Sequence, residues 1–179
     1  MSLTGWLIFS DAFLSFRRKV PQILLFSGMG LAALGLLQFI FIKDLRFLEP
    51  LGWDPHYFRT VSTFLDPNFA GVYFVLTLIL LFQNLAKARK WYIFGIVFLA
   101  LLTTFSRGAI LMFFVCFATF SLLKKSVKLF LLTGLLTSTL ITGYLIYSPV
   151  VAKPHNIDRH QSAEYRLRSW EQGLELFKK

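Results

Sequence analysis

Charge is scarce in this 179-residue sequence, and isolated charges need an explanation. Arg107, in Ser106-Arg107-Gly108, has no charged neighbour between Lys90 and Lys124. Both flanks are apolar, so its guanidinium needs water or an anion, and binding is the default reading of such a residue. The plainer reading is a turn so short that Arg107 simply reaches an interface. Arg59 precedes Ser62-Thr63-Phe64-Leu65-Asp66-Pro67-Asn68. A fixed arginine near a membrane surface grips phosphate oxygens through its forked N–H groups; snorkelling to a lipid headgroup is the competing reading. Asp66, Pro67 and Asn68 read as the start of a helix, with Asp66 as a cap and Asn68 bonding locally. Arg166 lies four residues before Trp170, so the two share a helix face. Stacking on Trp170, or pairing with Glu164, is the bland alternative. His155 and His160 are sparse and lack clustered carboxylates, so no metal site is expected. No Gly-rich phosphate loop, metal-binding His motif or Ser-centred nucleophile elbow is present. The single cysteine, Cys116, excludes a disulfide framework and a Cys-based zinc site.

The elements that must position these residues are apolar. Apolar residues make up 56% of the chain and charged residues 16%, with a mean hydropathy of +0.63. A soluble domain is about half apolar and about a quarter charged. An all-α, polytopic transmembrane helix bundle is therefore expected. Five apolar segments qualify as membrane-inserted: Pro21 to Ile42, Phe69 to Leu85, Trp91 to Phe105, Ala109 to Leu123 and Leu129 to Tyr147. The first has 22 residues and no charge, enough to cross a core of about 30 Å. The third and fourth are short. They suffice only if the Ser106–Gly108 turn sits at membrane depth in a protein-lined, wetted site, since lipid cannot satisfy bare backbone. Residues 1–16 fit either the end of a truncated span or an interfacial helix. A signal peptide fits poorly, because the basic cluster follows the apolar stretch. Near 162–177, Tyr165, Trp170, Leu174 and Phe177 have amphipathic-helix spacing, which suits a helix lying along a membrane or over a cavity mouth.

Charge sets the orientation. Nine basic residues form three short clusters: Arg17, Arg18 and Lys19; Lys87, Arg89 and Lys90; Lys124, Lys125 and Lys128. With Asp11 counted there, that side carries +8; the other ten basic residues face eight acids and leave +2. Compact basic loops mark the cytoplasm. The loop 43–68, the turn 106–108 and the tail from 148 then share the outer side. The net +10 is mostly this topogenic charge. A nucleic-acid footprint would need a continuous basic face with stacking aromatics, so no nucleic-acid partner is expected.

At these three outer elements the sequence resembles the O-antigen ligase and polymerase family of bacterial inner-membrane proteins. The resemblance rests on Arg59 with Ser62 through Asn68, on Leu102-Thr103-Thr104-Phe105-Ser106-Arg107-Gly108-Ala109, and on Arg166 with Trp170 and Gly173-Leu174-Glu175-Leu176. It covers about residues 55–179, leaving 1–54 as an interfacial segment, a first span and an outer loop. The resemblance implies a helical, membrane-embedded glycosyltransferase of the C type, acting in lipopolysaccharide and cell-envelope biosynthesis. Its donor would be a glycan on undecaprenyl diphosphate, its acceptor lipid A–core or another lipid-linked glycan. No cofactor or metal is implied. Arg59 and Arg166 match the family's functional outer-loop arginines. Arg107, Ser106, Asp66 and Asn68 fall in its substrate-binding elements. Family members are about twice as long and continue into a His-containing region, which supplies the proposed base. His155 and His160 precede Arg166 and do not match it, so the chain reads as a truncated form expected not to complete the reaction alone. Two other classes fit less of the sequence: a transporter with Arg107 binding an anion, and a structural membrane subunit. The structural subunit gives no reason for the three arginines to converge.

Overall fold

The computed structural model describes residues 3–53, 56–82, 89–152, 168 and 170–176. Among them the protein is all-helical. Five α-helices follow in order: α1 (Leu3–Phe41), α2 (Pro67–Phe82), α3 (Arg89–Thr104), α4 (Arg107–Leu123) and α5 (Val127–Ala152). Two stretches are long and apolar enough to cross a membrane by length and composition, Lys19–Phe41 and Val127–Tyr147. The others are shorter, at 16, 16 and 17 residues for α2, α3 and α4, or about 24–26 Å at 1.5 Å per residue.

The apolar runs place α2 to α5 within a few residues, but α1 differs. It is one helix of 39 residues that runs through the basic cluster at 17–19 and through Pro21, so residues from Leu3 onward are its first turns and not a separate element. No turn-forming pair lies between Asp11 and Pro21, and a proline removes only one helical bond where it stands. In the tail, residues 170–176 are helical. Trp170 and Leu174 are 76% and 60% exposed, so the body of the protein does not cover that face. Arg166 lies outside the described residues.

α2 is central, packed against α1, α3 and α4, while α5 lies on α4 and α3. Its buried side is Ala70, Phe74, Val75, Leu78 and Leu81. They meet Val97, Ala100 and Leu101 of α3 and Phe113 and Phe117 of α4. A phenylalanine cluster welds the end near the basic loops. Phe82 makes edge contacts with Phe117 and Phe120, with ring centroids 5.4 and 5.6 Å apart. Small residues set the closest approaches. A Cβ at Gly28 would lie 1.9 Å from Thr77 Oγ1, and one at Gly71 would lie 2.5 Å from the Ala109 Cβ. Glycine at 71 therefore lets the first turns of α2 and α4 touch.

The loop after α1 folds back on itself. The Leu45 N–H donates to the His56 carbonyl at 2.9 Å and the Phe58 N–H to the Lys43 carbonyl at 2.8 Å, around an isolated bridge between Asp44 and Tyr57. A 3-10 turn, Arg46–Leu51, ends at Gly52 in the left-handed region with φ 85°. This closure returns the chain to the end of α1 and delivers Arg59 to the bundle.

Candidate functional site

Residues 59–62 descend between the helix ends instead of crossing above them. Thr60 and Val61 are fully buried and Ser62 nearly so. Buried backbone needs hydrogen-bond partners, and the bundle supplies several here. The Thr60 N–H donates to the Thr103 carbonyl at 2.9 Å, and the hydroxyls of Thr60 and Thr103 are 2.7 Å apart. The Val61 N–H donates to Gln38 Oε1 at 3.0 Å. The Ser62 hydroxyl donates to the Leu31 carbonyl at 2.8 Å.

Arg59 sits against the end of α3. Its Nε–H donates to the Thr104 carbonyl at 3.0 Å, a favourable place for a cation at a helix C-terminus. An α-helix leaves its last four carbonyls without intrahelical partners. In α3 all four are satisfied: Leu101 by the Thr104 hydroxyl, Leu102 by the Phe105 N–H, Thr103 by Thr60 and Thr104 by Arg59. Arg59 is thus partly a cap. Its two terminal amino groups carry no hydrogen bond to another described residue. Burial lowers the Arg59 pKa; the carboxylate of Asp66 and the hydroxyl of Tyr144 oppose that, and Arg107 adds to it. Asp66, Arg107 and Tyr144 therefore each lie within electrostatic reach of Arg59. Arginine stays charged regardless.

Two helices begin beside Arg59. Asp66 caps α2, its Oδ1 accepting from the N–H groups of Asn68 at 2.6 Å and Phe69 at 3.1 Å. Ser106 caps α4, its hydroxyl oxygen accepting from the Ala109 N–H at 3.2 Å. The same hydroxyl donates to Asn68 Oδ1 at 2.8 Å. Asn68 therefore ties the two N-termini together, where the sequence led us to expect only a local bond. Ser106 is almost wholly buried, and Thr104 is fully so. Arg107 is exposed and has no ion-pair partner among the described residues. The N–H groups of Arg107 and Gly108, at the first helical positions, have no intrahelical acceptor.

The backbone here is unusual. Four non-glycine residues around the site have positive φ: Phe58 at 49°, Ser62 at 54°, Leu65 at 54° and Phe105 at 50°. Each costs about 1–2 kcal/mol, and such residues persist where the surroundings over-determine them, commonly at functional sites. Phe105 turns its ring onto Tyr147 of α5, centroids 5.5 Å apart and nearly parallel.

The structure thus brings together Arg59, Asp66, Asn68, Ser106 and Arg107 at one end of the bundle. Arg166 lies outside the described residues. Gln38 and Thr60 belong to the same site and were not singled out from the sequence, whereas Thr103 stands in the Leu102–Ala109 stretch quoted there. Gln38 alone carried a signal, being an amide deep in an apolar run, where an unbonded polar group is costly. Two arginines and the N-termini of α2 and α4 thus lie at one end of the bundle, where Asp66 is spent as the α2 cap, a balance of charge that suits an anion. No protein-family model, curated protein or solved structure matches the chain.

Proposed function

We propose that the chain belongs to a membrane-embedded glycan transferase of the O-antigen ligase type and holds the diphosphate of an undecaprenyl-linked glycan donor. In this reading all five helices span a bacterial inner membrane, with the Arg59–Arg107 site facing away from the cytoplasm. The observation that carries it is the placing of Arg59, at the C-terminus of α3, at the same end of the bundle as Arg107 and the joined N-termini of α2 and α4. A structural subunit gives no reason for that placing. The short helices support the geometry: at about 24–26 Å they fall short of a hydrocarbon core of about 30 Å. The site would therefore sit below the headgroup level, open to water and to a lipid-borne phosphate.

The chemistry follows from charge. Transfer of the glycan to lipid A–core or to another lipid-linked glycan leaves undecaprenyl diphosphate as the leaving group. Negative charge grows on its oxygens as the sugar–phosphate bond breaks. Arg59 and Arg107 would meet that charge in a low-dielectric site, and one such contact is worth about 2.7–4 kcal/mol of barrier by analogy with oxyanion-hole donors. Arg166 is assigned to the same diphosphate from the tail. The test is the partition of donor into nanodiscs holding the full chain. Undecaprenyl diphosphate should bind at least about tenfold tighter than undecaprenol. Equal binding of the two would reject the donor role, and tight binding of free phosphate with no preference for the lipid would favour an anion transporter.

A further inference from the structure

We infer that Gln38 of α1 is the positioning residue that sets where the Arg59 guanidinium lies. The inference rests on Arg59 being an anion contact. One amide makes three bonds. Its Nε2 donates to the Ile42 carbonyl at 3.0 Å and to the Arg59 carbonyl at 3.3 Å. Its Oε1 accepts from the Val61 N–H at 3.0 Å. The bonds to Arg59 and Val61 straddle Thr60, whose N–H and hydroxyl are fixed to Thr103 on α3. The Thr60 methyl seats over Gly35, one turn before Gln38, where a Cβ would lie 2.7 Å away. The Arg59 main chain is therefore held from both sides, by α1 and by α3, and only the side chain is left to reach Thr104. An amide in the apolar part of a helix is costly unless bonded; here two of its three bonds go to Arg59 and Val61. Asn would be too short to span both partners. Glu could keep the acceptor bond to Val61 but could not donate to Arg59.

The experiment uses the full chain in nanodiscs, with two readouts. The first is solvent exchange of the Arg59 Nε–H, resolved by 15N NMR and assigned by its loss in Arg59→Lys. The second is affinity for inorganic pyrophosphate. Gln38→Met keeps the volume and removes every bond; it should speed Nε–H exchange and weaken pyrophosphate binding by about tenfold each, with helix content unchanged. Gln38→Glu should fall between wild type and Gln38→Met in exchange. Should Gln38→Met be too unstable to study, Gln38→Glu alone decides, since exchange at the wild-type rate there would overturn the proposal. Unchanged exchange in Gln38→Met overturns it equally. Failure of wild type to bind pyrophosphate would sink the anion reading, yet the exchange readout would still decide the role of Gln38.

Discussion

Gly71→Ala tests whether the two helix starts must touch. The added Cβ would lie 2.5 Å from the Ala109 Cβ, whereas ordinary contacts are 3.4–4 Å. Neither atom ends a flexible side chain, so α2 and α4 must separate by about 1 Å, and overpacking of this kind costs about 1–3 kcal/mol. The Ser106–Asn68 bond, 2.8 Å long, would stretch past hydrogen-bonding range, losing about 0.5–1.5 kcal/mol. Alanine's better helix propensity offsets up to about 1 kcal/mol. The net expectation is a loss of about 1–3 kcal/mol, read by reversible unfolding of the detergent-solubilised chain. Ala109→Gly removes the colliding atom, so the double variant should recover much of the loss, giving a coupling of about 1–2 kcal/mol. A Gly71→Ala protein as stable as wild type, or additivity in the double variant, would refute the contact-based reasoning.

Three other expectations are independent of that contact. Reporter fusions at Ala88 and Ser126 should report cytoplasm and one at Leu51 the outside; an external signal at Ala88 or Ser126 would invert or break the orientation. α4 ends in a Schellman arrangement, with Lys125 N–H bonded to the Leu122 carbonyl and Ser126 N–H to the Ser121 carbonyl, and Lys125 has φ 49°. Lys125→Gly should raise stability by about 1 kcal/mol, and a neutral or destabilising result would show that this turn carries no strain. The Arg46 side chain and N–H hold the Asp44 carboxyl down to about 2. A depressed carboxyl stabilises the loop above its ordinary value of about 3.9, and that contribution fades as pH falls toward about 2. An NMR titration should find the low midpoint in wild type and the ordinary one in Arg46→Ala; an ordinary midpoint in wild type would refute the pairing.

Much of this architecture is written locally. Apolar runs between basic clusters locate α2 to α5, because a long uncharged stretch has few other outcomes. Asp66 before Pro67 marks a helix start through chemistry confined to a few neighbouring residues. Which faces pack is not local. In α2 almost every position is apolar, so nothing in the sequence tells buried Phe74 and Val75 from exposed Phe69 and Val72. Asn68 was readable as a helix-start residue, but its partner Ser106 lies 38 positions on, and the packing of α2 on α4, close at Gly71 and Ala109, brings them together. Thr60 was hidden for the same reason, and the Gln38 amide signalled a need for partners without naming them: each serves a residue brought near by the folded loop. The continuity of α1 through its basic cluster escaped because charge marks where a membrane face lies and does not by itself end a helix.

The central claim is that Arg59 and Arg107 grip one diphosphate through forked donors. The most direct measurement is 31P NMR of undecaprenyl diphosphate in nanodiscs containing the full chain, compared across wild type, Arg59→Lys and Arg107→Lys. Lysine keeps the charge but loses the paired donors. The account predicts resolved shifts of both phosphorus signals in wild type and affinity lower by about tenfold or more in each variant, with membrane insertion unchanged. Wild-type affinity and wild-type shifts in both variants would contradict it.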